Sequence, residues 1–67
     1  MTITLNNRTQ QIDAKKISVA ELIKLKNFTF KLLVTKVNGK LVKKDERENA
    51  QITDGDDVAI IHLISGG

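Results

Sequence analysis

The sequence predicts an α+β chain in which a small mixed sheet is packed on one helix. Three observations lead there: two-residue hydrophobic alternation at the start of the chain with a continuous apolar run near its end, one apolar stripe at helical spacing between them, and an Asn38-Gly39 pair in the second half. With 67 residues there is room for a single domain, 1–67, near the lower limit at which a hydrophobic core alone offsets the entropy lost on folding. Cysteine is absent, so neither a disulfide nor a thiolate metal site can staple the fold, and Ile, Leu and Val must supply its stability.

Taken in order, Thr2 to Asn6 alternates, with Ile3 and Leu5 on one side and Thr2 and Thr4 on the other, as a half-buried strand does. Asn6-Asn7-Arg8 tolerates a left-handed turn, so Thr9 to Ile12 returns antiparallel. Ser18, followed three residues later by Glu21, forms a capping box and starts a helix. Val19, Leu22, Ile23 and Leu25 make its apolar stripe, Glu21, Lys24 and Lys26 point elsewhere, and Asn27 stops it. A third strand runs from Phe30 to Val37, with Leu33, Thr35 and Val37 on one side and Val34 and Lys36 on the other. Asn38-Gly39 supplies the two positive-φ positions of a tight hairpin turn and pairs Lys40 to Lys43 back. Asp45 to Gln51 is polar with one helical turn, and Asp54-Gly55-Asp56 is a second turn signal. Val58 to Ile64 is then a final strand, apolar on both faces as befits the middle of a sheet covered on one side.

The expected core is Ile3, Leu5, Val58 and Ile60 on Val19, Leu22 and Ile23, with Leu33, Val37, Leu41 and Ile52. If Val58 and Ile60 face inward, then Ala59, Ile61 and Leu63 face outward. An apolar row there, extended by Val34, reads either as a partner-docking surface or as residues that a neighbouring loop covers or that are ordinary scattered surface hydrophobes.

Several functions are disfavoured. The net charge of +3 is scattered along the chain, and Phe28 and Phe30 are the only aromatics, so the clustered basic stripe and stacking platforms of a nucleic-acid binder are missing. Neither a long apolar run nor a basic segment leading into one is present, so no membrane association and no secretory signal are expected, and the cytoplasm is the default compartment. Catalysis needs a nucleophile with a base, paired carboxylates or a metal cluster. His62, the only histidine, reads as a packed or edge residue of the last strand. Asp54, Asp56 and Asp57 lack the further oxygen ligands of a calcium loop and read as turn formers. No catalytic residue, metal site or bound cofactor is expected.

What remains is the end of the chain. Gly-Gly at a terminus arises by chance in roughly one chain in two hundred, too often to carry a function by itself. Physically, Gly66-Gly67 is the thinnest and most pliable peptide available and leaves the terminal carboxylate unhindered, which suits a tail threaded into an activating enzyme and converted to an acyl adenylate. The opening strand, Val37-Asn38-Gly39, Asp54-Gly55-Asp56 and the ending Ile64-Ser65-Gly66-Gly67, at this spacing over essentially the whole chain, resemble the ThiS sulfur-carrier family, of ubiquitin-like β-grasp fold. Lys43-Lys44 departs from the Pro-Arg pair frequent in that family, and Arg47 from an aromatic.

The resemblance implies a carrier rather than an enzyme. Gly67 would be the sulfur attachment point, with Gly66 and Ser65 forming the tail that lets it reach. Its carboxylate would be adenylated by an E1-like adenylating enzyme using ATP and converted to a thiocarboxylate by a persulfide sulfur donor. Thiazole synthase would then take the sulfur for the thiazole ring of thiamine, and the free carrier would be a monomer. The nearest other reading is the small subunit of molybdopterin synthase, which shares the fold and the Gly-Gly end. A β-grasp interaction or RNA-binding module, for which the tail is dispensable, is the reading from a different class.

Overall fold

The structure, a computed structural model, describes residues 1–28 and 32–63. Strands β1 (Thr2–Leu5) and β2 (Arg8–Gln11) form an antiparallel hairpin with Leu5 opposite Arg8. That leaves Asn6 and Asn7 as a two-residue turn, with φ of 51° and 67°. Positive φ at both positions is what the twist of a tight hairpin demands, and asparagine is among the few non-glycine residues that accept it. β2 accordingly begins one residue earlier than the sequence suggested.

A short strand β3 (Lys16–Ser18) leads directly into helix α1 (Val19–Leu25). The Ser18 hydroxyl accepts from the Glu21 amide at 3.0 Å, and the Glu21 carboxylate accepts from the Ser18 amide at 3.2 Å. Both bonds satisfy amides that the first helical turn leaves free. At the other end Asn27 adopts φ 58°, its amide donates to Lys24 and the Phe28 amide to Ile23, each at 3.0 Å. This is the Schellman arrangement, which closes the last carbonyls and turns Phe28 back towards the core.

Strands β4 (Leu33–Val37) and β5 (Lys40–Val42) form the second hairpin, turning at Asn38 (φ 52°) and Gly39 (φ 83°). A single 3₁₀ turn (Lys44–Glu46), β6 (Gln51–Thr53) and β7 (Asp57–His62) complete the described chain. β2, β1, β7, β4 and β5 lie in that order in one sheet, with β7 central, parallel to β1 and antiparallel to β4. β3 and β6 pair separately as a two-stranded sheet, which the sequence reading did not anticipate. Strands of three residues are too short for a period of two to show itself.

The core lies between the larger sheet, α1 and the β3–β6 pair. Ile3, Leu5, Val19, Leu22, Ile52, Val58 and Ile60 are buried as expected, and Ile23, Leu33 and Val37 pack against them partly buried. Ile12, Ile17 and Val42 join the buried set. Two expected positions are corrected. Leu41 is 58% exposed, because the two-residue turn places it opposite Lys36 and puts Val42 opposite the buried Thr35. Residues paired across a ladder point to the same face, so Val42 goes in and Leu41 out. Leu25 is 60% exposed at the rim of the helical stripe, whereas Lys26 sits nearer its centre, is half-buried, and donates to the Gln10 side chain on β2. Phe30, at the start of the expected third strand, and Ile64, at the end of the last, lie outside the described residues.

The corrected faces make a contrast that chemical denaturation can read. Ile52→Ala should cost about 2–5 kcal/mol, because it opens a cavity at a site with no exposure. Leu41→Ala should stay within about 0.5 kcal/mol. A large loss at Leu41 would put that residue back in the core.

Candidate functional site

β7 is held by side chains as well as by its neighbours. The Asn6 amide nitrogen donates to the Ile60 carbonyl at 3.1 Å, and the Asn6 side-chain oxygen accepts from the Ile60 amide at 2.9 Å. One side chain thus makes the two bonds that a further β1 residue would have made, prolonging the parallel ladder after the backbone has turned away. At the opposite end Asn38 does the same kind of work. Its side-chain oxygen accepts from the Asp57 amide at 2.9 Å, its nitrogen donates to the Asp56 carboxylate at 3.0 Å, and its backbone amide donates to the Asp57 carbonyl at 2.7 Å. Each hairpin turn therefore grips the central strand with an asparagine.

The acidic turn before β7 completes this frame. The Asp54 carboxylate accepts from the Thr2 amide at 2.7 Å, and the Gly55 amide donates to the Thr2 carbonyl at 2.8 Å with Gly55 at φ 85°. Asp56 accepts from the Thr53 amide at 2.8 Å. That backbone bond, then the Asn38 amide, with a smaller share from the Thr53 hydroxyl, outweighs slight desolvation and holds the Asp56 carboxyl below its ordinary value of 3.8. Asp54 and Asp56 serve the turn as expected, whereas Asp57 opens β7, and no group of three or more His, Cys, Asp or Glu suited to a metal ion occurs among the described residues. His62 ends β7 opposite Leu33.

On the outer face of the sheet the four residues predicted for docking lie together. Val34 on β4 is directly opposite Ile61 on β7, and Ala59 is opposite Lys36. Ile61 is 47% and Leu63 46% exposed, while Val34 and Ala59 are half-buried. The Leu63 amide donates to the Leu32 carbonyl at 3.0 Å, carrying the β4–β7 pairing one step past the strand ends. Leu32 and the outward Leu41 enlarge the apolar area beyond what the sequence reading assigned to it. The missed signal for Leu41 was the register of the Asn38-Gly39 turn, which puts it on the face of Lys36. Ser65, Gly66 and Gly67, the predicted tail, follow Leu63 and Ile64 and lie outside the described residues.

Beside this face, where the chain leaves β5, is a recess of about 240 Å³ reached by Leu32, Val34, Leu41 and Leu63. Arg47 lines it too and seals the adjacent edge of β4: its Nη2 donates to the Leu33 carbonyl at 2.7 Å and its Nε to the Thr35 hydroxyl at 3.4 Å. Thr35 in turn donates to the Val42 carbonyl at 2.7 Å, so this fully buried hydroxyl is satisfied.

A five-stranded mixed sheet with parallel first and last strands at its centre, crossed by one helix, is the architecture of a ubiquitin-like β-grasp protein. The whole chain superposes on the crystal structure of a thiamine biosynthesis protein (ThiS) from Geobacter metallireducens with a TM-score of 0.87, 26% identity and full coverage of both chains. A solution structure of a thiamine biosynthesis protein from the same organism gives 0.78 and 26% identity, with all of this chain and 88% of the other covered. The ThiS family model matches residues 3–67, and the chain belongs to that family. Comparison with curated protein sequences gives no match. Among the described residues no helix is long and apolar enough to cross a membrane.

The lowered Asp56 value has a measurable sign. A carboxyl whose folded pKa lies below its unfolded one stabilises the fold above the unfolded value, and that contribution disappears as pH falls through 3.8 towards the folded value. Urea midpoints followed from about pH 6 to about pH 2 should fall less steeply for Asp56→Asn than for the unsubstituted chain. At neutral pH Asn38→Ala should cost about 0.5–1.5 kcal/mol, since it removes the solvent-exposed bonds to the Asp57 amide and the Asp56 carboxylate, where water can take over, as urea unfolding will read.

Proposed function

We propose that this chain is a sulfur carrier whose Gly67 carboxylate is activated by one partner enzyme and used by another in thiamine thiazole assembly. Membership of the ThiS family supports the carrier role, and the likeness to a thiamine biosynthesis protein supports the pathway. The observation that carries the reading is the outward apolar row of half-buried Ala59 and exposed Ile61 and Leu63, with Val34 beside it, just before Ser65, Gly66 and Gly67 in the sequence. The asparagine bonds at both ends hold β7 in register, so the row lies at a fixed place in the sheet, with Ile61 four residues before Ser65 in the sequence.

The Gly67 carboxylate oxygen attacks the α-phosphorus of ATP in the E1-like adenylating enzyme, and pyrophosphate leaves. A persulfide sulfur then attacks the acyl carbon and AMP leaves. Cleavage of the resulting sulfur–sulfur bond by a thiol gives the thiocarboxylate, whose sulfur thiazole synthase consumes. The carrier contributes binding and positioning to these steps, while ATP and the reacting groups belong to its partners.

Intact-mass measurement after incubation with ATP, the adenylating enzyme and a persulfide donor should find one oxygen exchanged for sulfur, mapped to Gly67. Deleting Gly66-Gly67 should abolish the exchange. No exchange with an enzyme shown to be active, or normal thiamine synthesis from the truncated chain, would sink the carrier reading. Ile61→Asp should weaken docking at least about tenfold while leaving the unfolding midpoint in place.

A further inference from the structure

The recess beside the outer face has an unbalanced charge. Besides its leucines it is lined by Lys43, Lys44 and Arg47, with no Asp or Glu among the described residues that reach it. The Arg47 guanidinium is already engaged with the Leu33 carbonyl and the Thr35 hydroxyl. Lys43 and Lys44 are exposed at the mouth. Glu46, the acid that could have balanced them, turns its carboxylate onto the Lys43 backbone amide at 3.1 Å and lines a different groove. That groove, of about 650 Å³ beside the Asn38-Gly39 turn, holds Lys40 and Glu46 and so carries both signs of charge. It also lies at the end of β4 remote from Leu63.

We propose that the recess takes an acidic side chain, carried next to an apolar one, from the adenylating enzyme that binds the tail. This deepens the carrier reading and rests on it. From Leu63 to Gly67 is four residues, a reach of at most about 14 Å, which brings an enzyme holding the Gly67 carboxylate within that distance of Leu63 and so within range of the recess that Leu63 lines. The apolar residue of the partner packs among Leu32, Leu41 and Leu63, and its carboxylate meets Lys43 and Lys44 at the rim. Charges in that position steer encounter and fix orientation more than they add raw affinity, and salt screens them.

The test is an equilibrium titration of the purified E1-like adenylating enzyme from the same organism with three chains. These are the unsubstituted protein, K43E/K44E, and K15E/K16E, which makes the same charge change at exposed lysines around the start of β3. At low salt K43E/K44E should bind at least about tenfold more weakly, with the gap closing at high salt, while K15E/K16E stays within about twofold. Unfolding midpoints of all three should coincide. Equal weakening by both pairs, or none by K43E/K44E, overturns the recess as a docking site. If the unsubstituted chain acquires sulfur normally and K43E/K44E still binds like it, the recess alone is refuted. If the unsubstituted chain never acquires sulfur, the carrier reading falls and this proposal falls with it.

Discussion

Two asparagine side chains hold the central strand. Asn6 bonds both backbone groups of Ile60, and Asn38 bonds the Asp57 amide and the Asp56 carboxylate. Both sit in turns with positive φ, where the backbone has already left the ladder, so each amide takes over where the main chain can no longer pair. The strand between them sets the geometry of everything else. Its inner side chains, Val58 and Ile60, belong to the core that α1 closes, and its outer ones, Ala59 and Ile61, form the apolar row proposed for docking. Because successive residues of a strand face opposite ways, one short segment stabilises the domain and presents the surface without the two roles competing for a residue.

Much of this was legible in local chemistry. Ser18 with Glu21, Asn27, Asn38-Gly39 and the acidic turn before β7 each specify backbone geometry within a few residues, and each appears as expected. The apolar run from Val58 is explained by a central strand, and the outward set Ala59, Ile61 and Leu63 follows from the inward one. What escaped depended on register or on short pairings. Leu41 is as apolar as any core residue, and only its position opposite Lys36 puts it outside. β3 and β6 are defined by each other across a long stretch of sequence, which no local period can reveal.

Arg47, where the resemblance leads one to expect an aromatic, has a role that the structure accounts for. An aromatic there would cover the sheet edge with apolar surface. The guanidinium instead supplies donors to the Leu33 carbonyl, which β5 is too short to reach, and to the buried Thr35 hydroxyl. Arginine suits this place because its planar fork meets two acceptors at once, the Leu33 carbonyl and the Thr35 hydroxyl. The same choice leaves a basic residue in the wall of the recess, so a solution to an edge-strand problem also alters the electrostatics beside the docking face.

The parallel pairing of β1 with β7 joins the first strand of the domain to the last, with Leu5 beside Val58. Contacts of such long sequence separation are slow to form, because a large loop must close before they return any stabilisation. β1 is made first and β7 last of the described strands, and it is β7 that occupies the place between β1 and β4. A chain interrupted anywhere before Asp57 would lack the centre of its sheet, and with it the surface that a partner enzyme would engage. Closure of the sheet and formation of its outer apolar face thus arrive together, because both wait for the same strand.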